Sequence, residues 1–374
     1  MYPDDITNPV PFGSSLFFDQ DDKSLSRFTL AAYLLLTGIL FVQDEQLSDE
    51  RIDLPTAEEF EILGINREVR ETVPRGEMDL REFSASALDS VPSRALADFA
   101  AQVNERADPF YAAHLVATGC SSSDELIRIC ALGSAVDFFR LETIDIRRQL
   151  AWFFENAREI QTFELLFVLM ARIFPVGATG NLSPQTTPPP ATSAGLMAVH
   201  GTVLPFSQAN RPEWSVPPNG SLYSHIRTFR NDIYGSPDYF RWEGGYTDYA
   251  REVAISSLSD WISRRRLNGI DIVAHSHGCN VVMGSTSVST NFTKIVLLSC
   301  PVHWKKYNLP SAMITSDVVS IRTRFDFVIR MDRGGQRFPK GTIRDVILPF
   351  WFTSHSASTK PNTWKSQKLD RYVL

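Results

Sequence analysis

The sequence predicts a mainly α-helical N-terminal half followed by an α/β domain, a mostly parallel sheet flanked by helices. Three observations carry this. Before about residue 175, apolar residues recur at helical spacing. Residues 176–195 (VGATGNLSPQTTPPPATSAG) are rich in Pro, Ser, Thr and Gly and carry neither charge nor apolar period. Beyond 196, short apolar runs alternate with amphipathic stretches, the pattern of buried parallel strands joined by helices. Residues 1–175 are therefore read as a helical domain and 196–374 as the α/β domain. Residues 176–195 are the linker between them, because such a composition buries too little surface to offset its ordering entropy.

In the N-terminal half, Phe28 to Val42 is an apolar run of 15 residues. That is short of the roughly 20 needed to span a bilayer, so a buried core helix is expected and membrane contact is not predicted. An alternative gives residues 1–175 a membrane-docking or regulatory task. In Ser123–Phe139, Leu126, Ile129, Cys130, Gly133 and Val136 share one helical face, with Ser123-Asp124 as the N-cap. Arg147–Glu155 and Thr162–Phe174 read as further helices.

Composition excludes some classes of function. Net charge is −6 and the pI about 5.7, and no basic stripe of the kind phosphate binding requires is present, so no nucleic-acid partner is expected. The one tight basic run, Arg264-Arg265-Arg266, falls at the end of a predicted helix, where cations complement the dipole. Cys120, Cys130, Cys279 and Cys300 have no CxxC spacing, and scattered His and Asp show no ligand spacing, so neither metal nor cofactor is expected. The acidic start predicts no secretory signal, which makes the cytoplasm the default compartment.

In the α/β half, strands are predicted at Leu196–Val199, Tyr239–Trp242, Ile270–Ala274, Lys294–Ser299 and Val318–Arg324. Helices are predicted at Tyr246–Arg266, with Val253, Ile255, Leu258, Trp261 and Ile262 inward, and at His277–Ser285. The strongest motif joins the strand at Ile270 to the helix at His277 through Ala274-His275-Ser276-His277-Gly278. Small residues on either side let strand and helix backbones approach while the Ser hydroxyl projects from a strained turn, as a nucleophile requires. The helix N-terminus behind it supplies N–H groups for a developing oxyanion. Upstream, the strand Leu196–Val199 ends in His200-Gly201-Thr202, the form of a loop that donates the second oxyanion hydrogen bond. Thr202 and His277 amides are the expected donors. His200, Gly201 and Val203 line the substrate side, with His200 shaping the loop rather than acting as a base.

The base and its carboxylate should follow Ser276 in the order acid, then His. His303 comes too early, which leaves His355, in a polar loop after the apolar Val346–Phe352 run. Asp326, just past a predicted strand, is the expected acid, with Asp332 and Asp317 as alternatives.

From about Leu196 onward the chain resembles the α/β-hydrolases, in particular small bacterial lipase- or esterase-like hydrolases. The shared motifs are His200-Gly201-Thr202, Phe240-Arg241-Trp242-Glu243-Gly244, Ala250-Arg251 and His275-Ser276-His277-Gly278-Cys279-Asn280. Cys279 stands where a second Gly is usual, and Ala274 where the superfamily more often has Gly. The resemblance implies an α/β-hydrolase fold and a Ser276–His355–Asp326 triad acting through an acyl-enzyme. The substrate would be a carboxylic ester of small-molecule or lipid origin. A thioesterase or amidase would use the same triad. A catalytically idle interaction module is the alternative outside enzymes.

Overall fold

The computed structural model describes residues 22–40, 109–139, 143–174, 195–203, 214–235, 239–267, 269–286, 292–303, 306–307, 309, 317–339, 343–348 and 355–374. Two compact units divide the chain, Val10–Leu169 and Met170–Leu374. The Pro-rich stretch at 176–195 lies, apart from Gly195, outside the described residues.

The described residues of Val10–Leu169 are helical: α1 (Asp22–Leu40), α2 (Pro109–Gly119), α3 (Glu125–Phe139), α4 (Thr143–Asn156) and most of α5 (Ile160–Ile173). The apolar run as far as Leu40 lies within α1, where Leu30, Ala31, Ala32 and Leu34 are buried, and its last two residues lie outside the described residues. No described helix is long and apolar enough to cross a membrane. α1 and α3 cross closely at Gly38, where a Cβ would lie 2.7 Å from the Cα of Ser134. Asp124 caps α3 as its position predicts, Oδ1 accepting from the amides of Leu126 and Ile127 at 2.9 and 3.0 Å.

The second unit is built on a five-stranded sheet in which every pairing is parallel. Its strands are β1 (Leu196–Val199), β2 (Ile270–His275), β3 (Phe292–Leu298), β4 (Asp317–Arg322) and β5 (Arg344–Ile347), side by side in chain order. The register aligns Val199, Ala274, Leu297, Ser320 and Asp345 in one row across the sheet. Successive side chains point to opposite faces, and along β1 to β4 both faces are covered, which is why these strands read as mainly apolar runs, whereas the edge strand β5 is largely exposed. Met197, Val199, Ile272, Ala274, Ile295 and Leu297 pack with α7 (Asp248–Arg264) and α8 (His277–Thr286). Leu196, Val273, Val296, Leu298, Val319 and Ile321 pack on the other face with α6 (Ser221–Arg227) and Trp364 of α10 (Pro361–Gln367).

Two expectations are corrected. Tyr239–Trp242 is irregular rather than a strand. Its apolar residues are buried because they fill the core as a loop, and the Trp242 indole N–H donates to the His200 carbonyl at 2.8 Å. Val253, assigned to the inner face of α7, is 45% exposed. The buried face runs instead through Ala250, Arg251, Ala254, Leu258, Trp261 and Ile262. Thr247 starts the helix, its side chain accepting from the Ala250 amide.

Trp364 is fully buried and its indole N–H donates 2.7 Å to the carbonyl of Ser358, in the 3-10 helix His355–Thr359. Trp364→Ala is expected to cost about 3–5 kcal/mol in denaturant unfolding. A loss under about 1 kcal/mol would show that this residue does not anchor the C-terminal segment.

Candidate active site

Because every strand runs the same way, every strand leaves its C-terminal end at one edge. That edge is where open α/β sheets bind ligands. The segment Gly201–Val203 leaves β1 there, Ser276 leaves β2, Ser299–His303 leaves β3 and Thr323–Asp326 leaves β4.

Ser276 is the whole connection between β2 and α8: the strand ends at His275 and the helix begins at His277. Its φ is +53°, the left-handed region that non-glycine residues rarely occupy. Such a conformation costs of order 1–3 kcal/mol and persists only where the surroundings over-determine it. Here the Ser276 amide donates to Leu298 O of the neighbouring strand at 2.9 Å, and its carbonyl accepts from the Cys279 amide at 2.9 Å.

Two glycines let neighbouring backbone close on this turn. A Cβ on Gly201 would lie 2.6 Å from the Ser276 Cβ, so the loop after β1 lies directly against the serine. A Cβ on Gly278 would lie 2.3 Å from the His200 carbonyl oxygen. The small residue after the serine is therefore required by the loop leaving the next strand. The Phe240–Gly244 segment braces that loop from behind. Beyond the Trp242 indole bond, the rings of His200 and Trp242 stack at 5.6 Å, and the Val203 amide donates to the Gly244 carbonyl at 2.9 Å. His200 Nδ1 bonds the Gly201 carbonyl at 2.8 Å, so this imidazole shapes the loop. Thr202 Oγ1 is buried without a hydrogen-bond partner among the described residues.

Asp326 and His355 meet, with Asp326 Oδ2 2.7 Å from His355 Nδ1. Asp326 is buried and its other oxygen caps the short helix α9 (Phe327–Met331), accepting from the amides of Val328 and Ile329 at 3.0 and 3.2 Å. The cap fixes the carboxylate, and the carboxylate fixes the imidazole. His355 in turn borders the residue before this turn: its ring centroid is 4.8 Å from that of His275, and its carbonyl bonds His275 Nε2 at 3.2 Å. Ser299 and Ser358 hydroxyls, 2.8 Å apart, tie the His355-bearing 3-10 helix to the end of β3.

Asp332, the alternative acid, lies elsewhere. Its Oδ2 is 2.9 Å from His303 Nε2 and 3.4 Å from His277 Nε2, and the Tyr246 hydroxyl donates to its Oδ1. Arg251 is buried beside them, its Nη1 3.3 Å from His277 Nδ1. The sequence marks Arg251 by its phase, shared with Ala254, Leu258 and Ile262, but nothing in it joins Tyr246, His303 and Asp332. The ligand atoms of His277, His303 and Asp332 lie within 4.8 Å of one another, a set able to hold a cation such as zinc. The guanidinium over His277 and the donors already on Asp332 favour a hydrogen-bonded network instead.

Burial sets the charges. It pushes His275 down to about 3, helped by the adjacent His355, and His277 down to about 4, with Arg251 adding to the shift. Burial alone would raise Asp332, but His277 and His303 hold it well below the usual carboxylate range. The serine is thus flanked in sequence by two neutral imidazoles, one of which faces a buried anion.

Unfolded histidines titrate near about 6.5, so below that pH the unfolded chain takes up protons that folded His275 and His277 refuse. Stability is expected to fall from pH 7 to 5 by about 2 kcal/mol per histidine, above the range where carboxylates contribute. Denaturant unfolding at the two pH values measures this. A drop as large in His275→Gln as in the parent would contradict the assignment.

The chain matches no protein-family model, and a search of curated proteins returns no match.

Proposed function

We propose that the Met170–Leu374 unit is a serine hydrolase of the α/β-hydrolase type that cleaves carboxylic esters through an acyl-enzyme. The observation that carries this reading is the 2.7 Å bond between Asp326 and His355 Nδ1, formed against the residue that precedes a left-handed Ser276. Parallel strands in chain order support it, since the segment after β1, Ser276 after β2 and Asp326 after β4 all leave at one edge, in the order such a site needs.

The chemistry follows from the proton positions. With Nδ1–H given to Asp326, the His355 Nε2 lone pair is the base. Ser276 Oγ attacks the acyl carbon as Nε2 takes its proton, and Asp326 stabilises the imidazolium. The carbonyl oxygen becomes an anion, for which the amides of Thr202 and His277 are the donors. Collapse breaks the ester C–O bond, and the alcohol leaves with the proton from Nε2. Water, deprotonated by the same nitrogen, then releases the acid and regenerates Ser276. Of the two acyl substrates an ester is intrinsically the easier to cleave, because an alkoxide is a better leaving group than an amide anion. The apolar stretches that follow the His200-Gly201 loop and precede His355 in sequence, Val203 to Trp214 and Ile347 to Phe352, are largely outside the described residues.

A fluorophosphonate probe is expected to label the wild-type protein and not Ser276→Ala. Absence of labelling, or equal labelling of the variant, would leave an idle module of hydrolase shape. Among folded variants, His355→Ala and Asp326→Asn are expected to lower kcat for a p-nitrophenyl ester on the order of 10³- to 10⁴-fold. Asp332→Asn should do far less damage. The reverse ranking would move the acid to Asp332.

A further inference from the structure

The five-residue helix α9 carries a carboxylate at each end, Asp326 as its N-cap and Asp332 as its C-cap. The first holds His355. The second lies 3.4 Å from Nε2 of His277, the residue whose backbone opens α8 directly after Ser276. One rigid turn of helix therefore ties both sides of the serine together.

The second link is a close approach inside a polar network. His277 Nε2 lies 3.4 Å from Asp332 Oδ2, and Asn280 Nδ2 lies 3.1 Å from His277 Nδ1. His303 Nε2 bonds the same oxygen, and the Tyr246 hydroxyl takes the other. Burial and the neighbouring carboxylate keep the Tyr246 phenol protonated, hence a donor. The Tyr246 ring also stands edge-on to His277 at 5.4 Å, and the Arg251 guanidinium lies against the imidazole near both nitrogens. The His277 side chain is 4% exposed and enclosed by these groups, so its backbone cannot turn without disturbing them.

We propose that Asp332 is a positioning residue: through the His277 imidazole, with Tyr246 and His303 steadying the carboxylate, it holds the His277 amide at the angle an oxyanion requires. Its catalytic consequence rests on the serine hydrolase reading, while the brace on the start of α8 does not. Asparagine at 332 would present an NH₂ to one of the donors that now meet an anion, so the pull on His277 would weaken without a change in size.

The test compares wild type, Asp332→Asn and Tyr246→Phe in the full chain, by ester kinetics, inhibition by a trifluoromethyl ketone and amide hydrogen exchange. In Asp332→Asn, kcat should fall on the order of 10- to 50-fold, less than deletion of an oxyanion donor costs, with KM changed less than about twofold. Affinity for the ketone, whose adduct is tetrahedral, should fall by a similar factor. Exchange should quicken in a peptide covering 276–283 and stay unchanged across 292–298. Tyr246→Phe should move all three readouts the same way by a smaller factor. Unchanged kcat and exchange in Asp332→Asn, or a change in KM alone, would overturn the proposal. If Asp332→Asn does not fold, unchanged kcat and exchange in Tyr246→Phe overturn it. If the wild type neither turns over esters nor takes the fluorophosphonate, the hydrolase reading fails and exchange alone judges the brace. Protection at 276–283 that ignores both variants then rejects it too, and faster exchange upholds it.

Discussion

A single residue in a left-handed conformation sets the terms for the Met170–Leu374 unit. Ser276 stands alone between the last residue of β2 and the first of α8, and at φ +53° it has no room to relax. The strain is local, but the means of holding it are spread through the sheet edge. The neighbouring strand accepts the Ser276 amide, Gly201 lets the loop after β1 lie on the serine, and Gly278 lets that loop's carbonyl approach the helix. A methyl group at either glycine would push the loop and the elbow apart.

Around this turn, polar groups are buried in two sets, and each is closed by a carboxylate. Burial penalises an isolated anion heavily, so each carboxylate must be surrounded by donors. Asp326 accepts two helix amides and the His355 imidazole; Asp332 accepts Tyr246 and His303 and faces His277. The same short helix positions both, which makes their spacing a property of the backbone. Order in such networks is cooperative: removing one donor disturbs groups it does not touch.

Much of this was legible in the residues. The apolar strands announce themselves because a sheet covered on both faces needs no polar alternation, and small-His-Ser-His-Gly between strand and helix marks the turn. Chain order and the end of a predicted strand point to Asp326 and His355 but leave Asp332 and Asp317 open; that the Asp326 and His355 side chains meet is seen only in the fold. What lay out of reach depends on folding in space. Tyr239–Trp242 has the composition of a strand but serves as a buried brace for the His200 loop, a role that local pattern does not encode. Val253 is turned outward and Arg251 inward because the buried face of α7 is set by the tertiary arrangement, including a buried guanidinium that a hydrophobic count does not register. His303 and Asp332 are 29 positions apart, and nothing in the chain links them before β3 and α9 bring them together.

The proposed hydrolase chemistry requires that the hydroxyl at position 276 become covalently acylated. Acid-quenched mass spectrometry of the protein during turnover of p-nitrophenyl butyrate tests this directly. The account predicts a butyryl adduct on the peptide spanning 270–286, located at Ser276 and lost on longer incubation. Ester hydrolysis without any adduct, or with the acyl group on another residue, would contradict it.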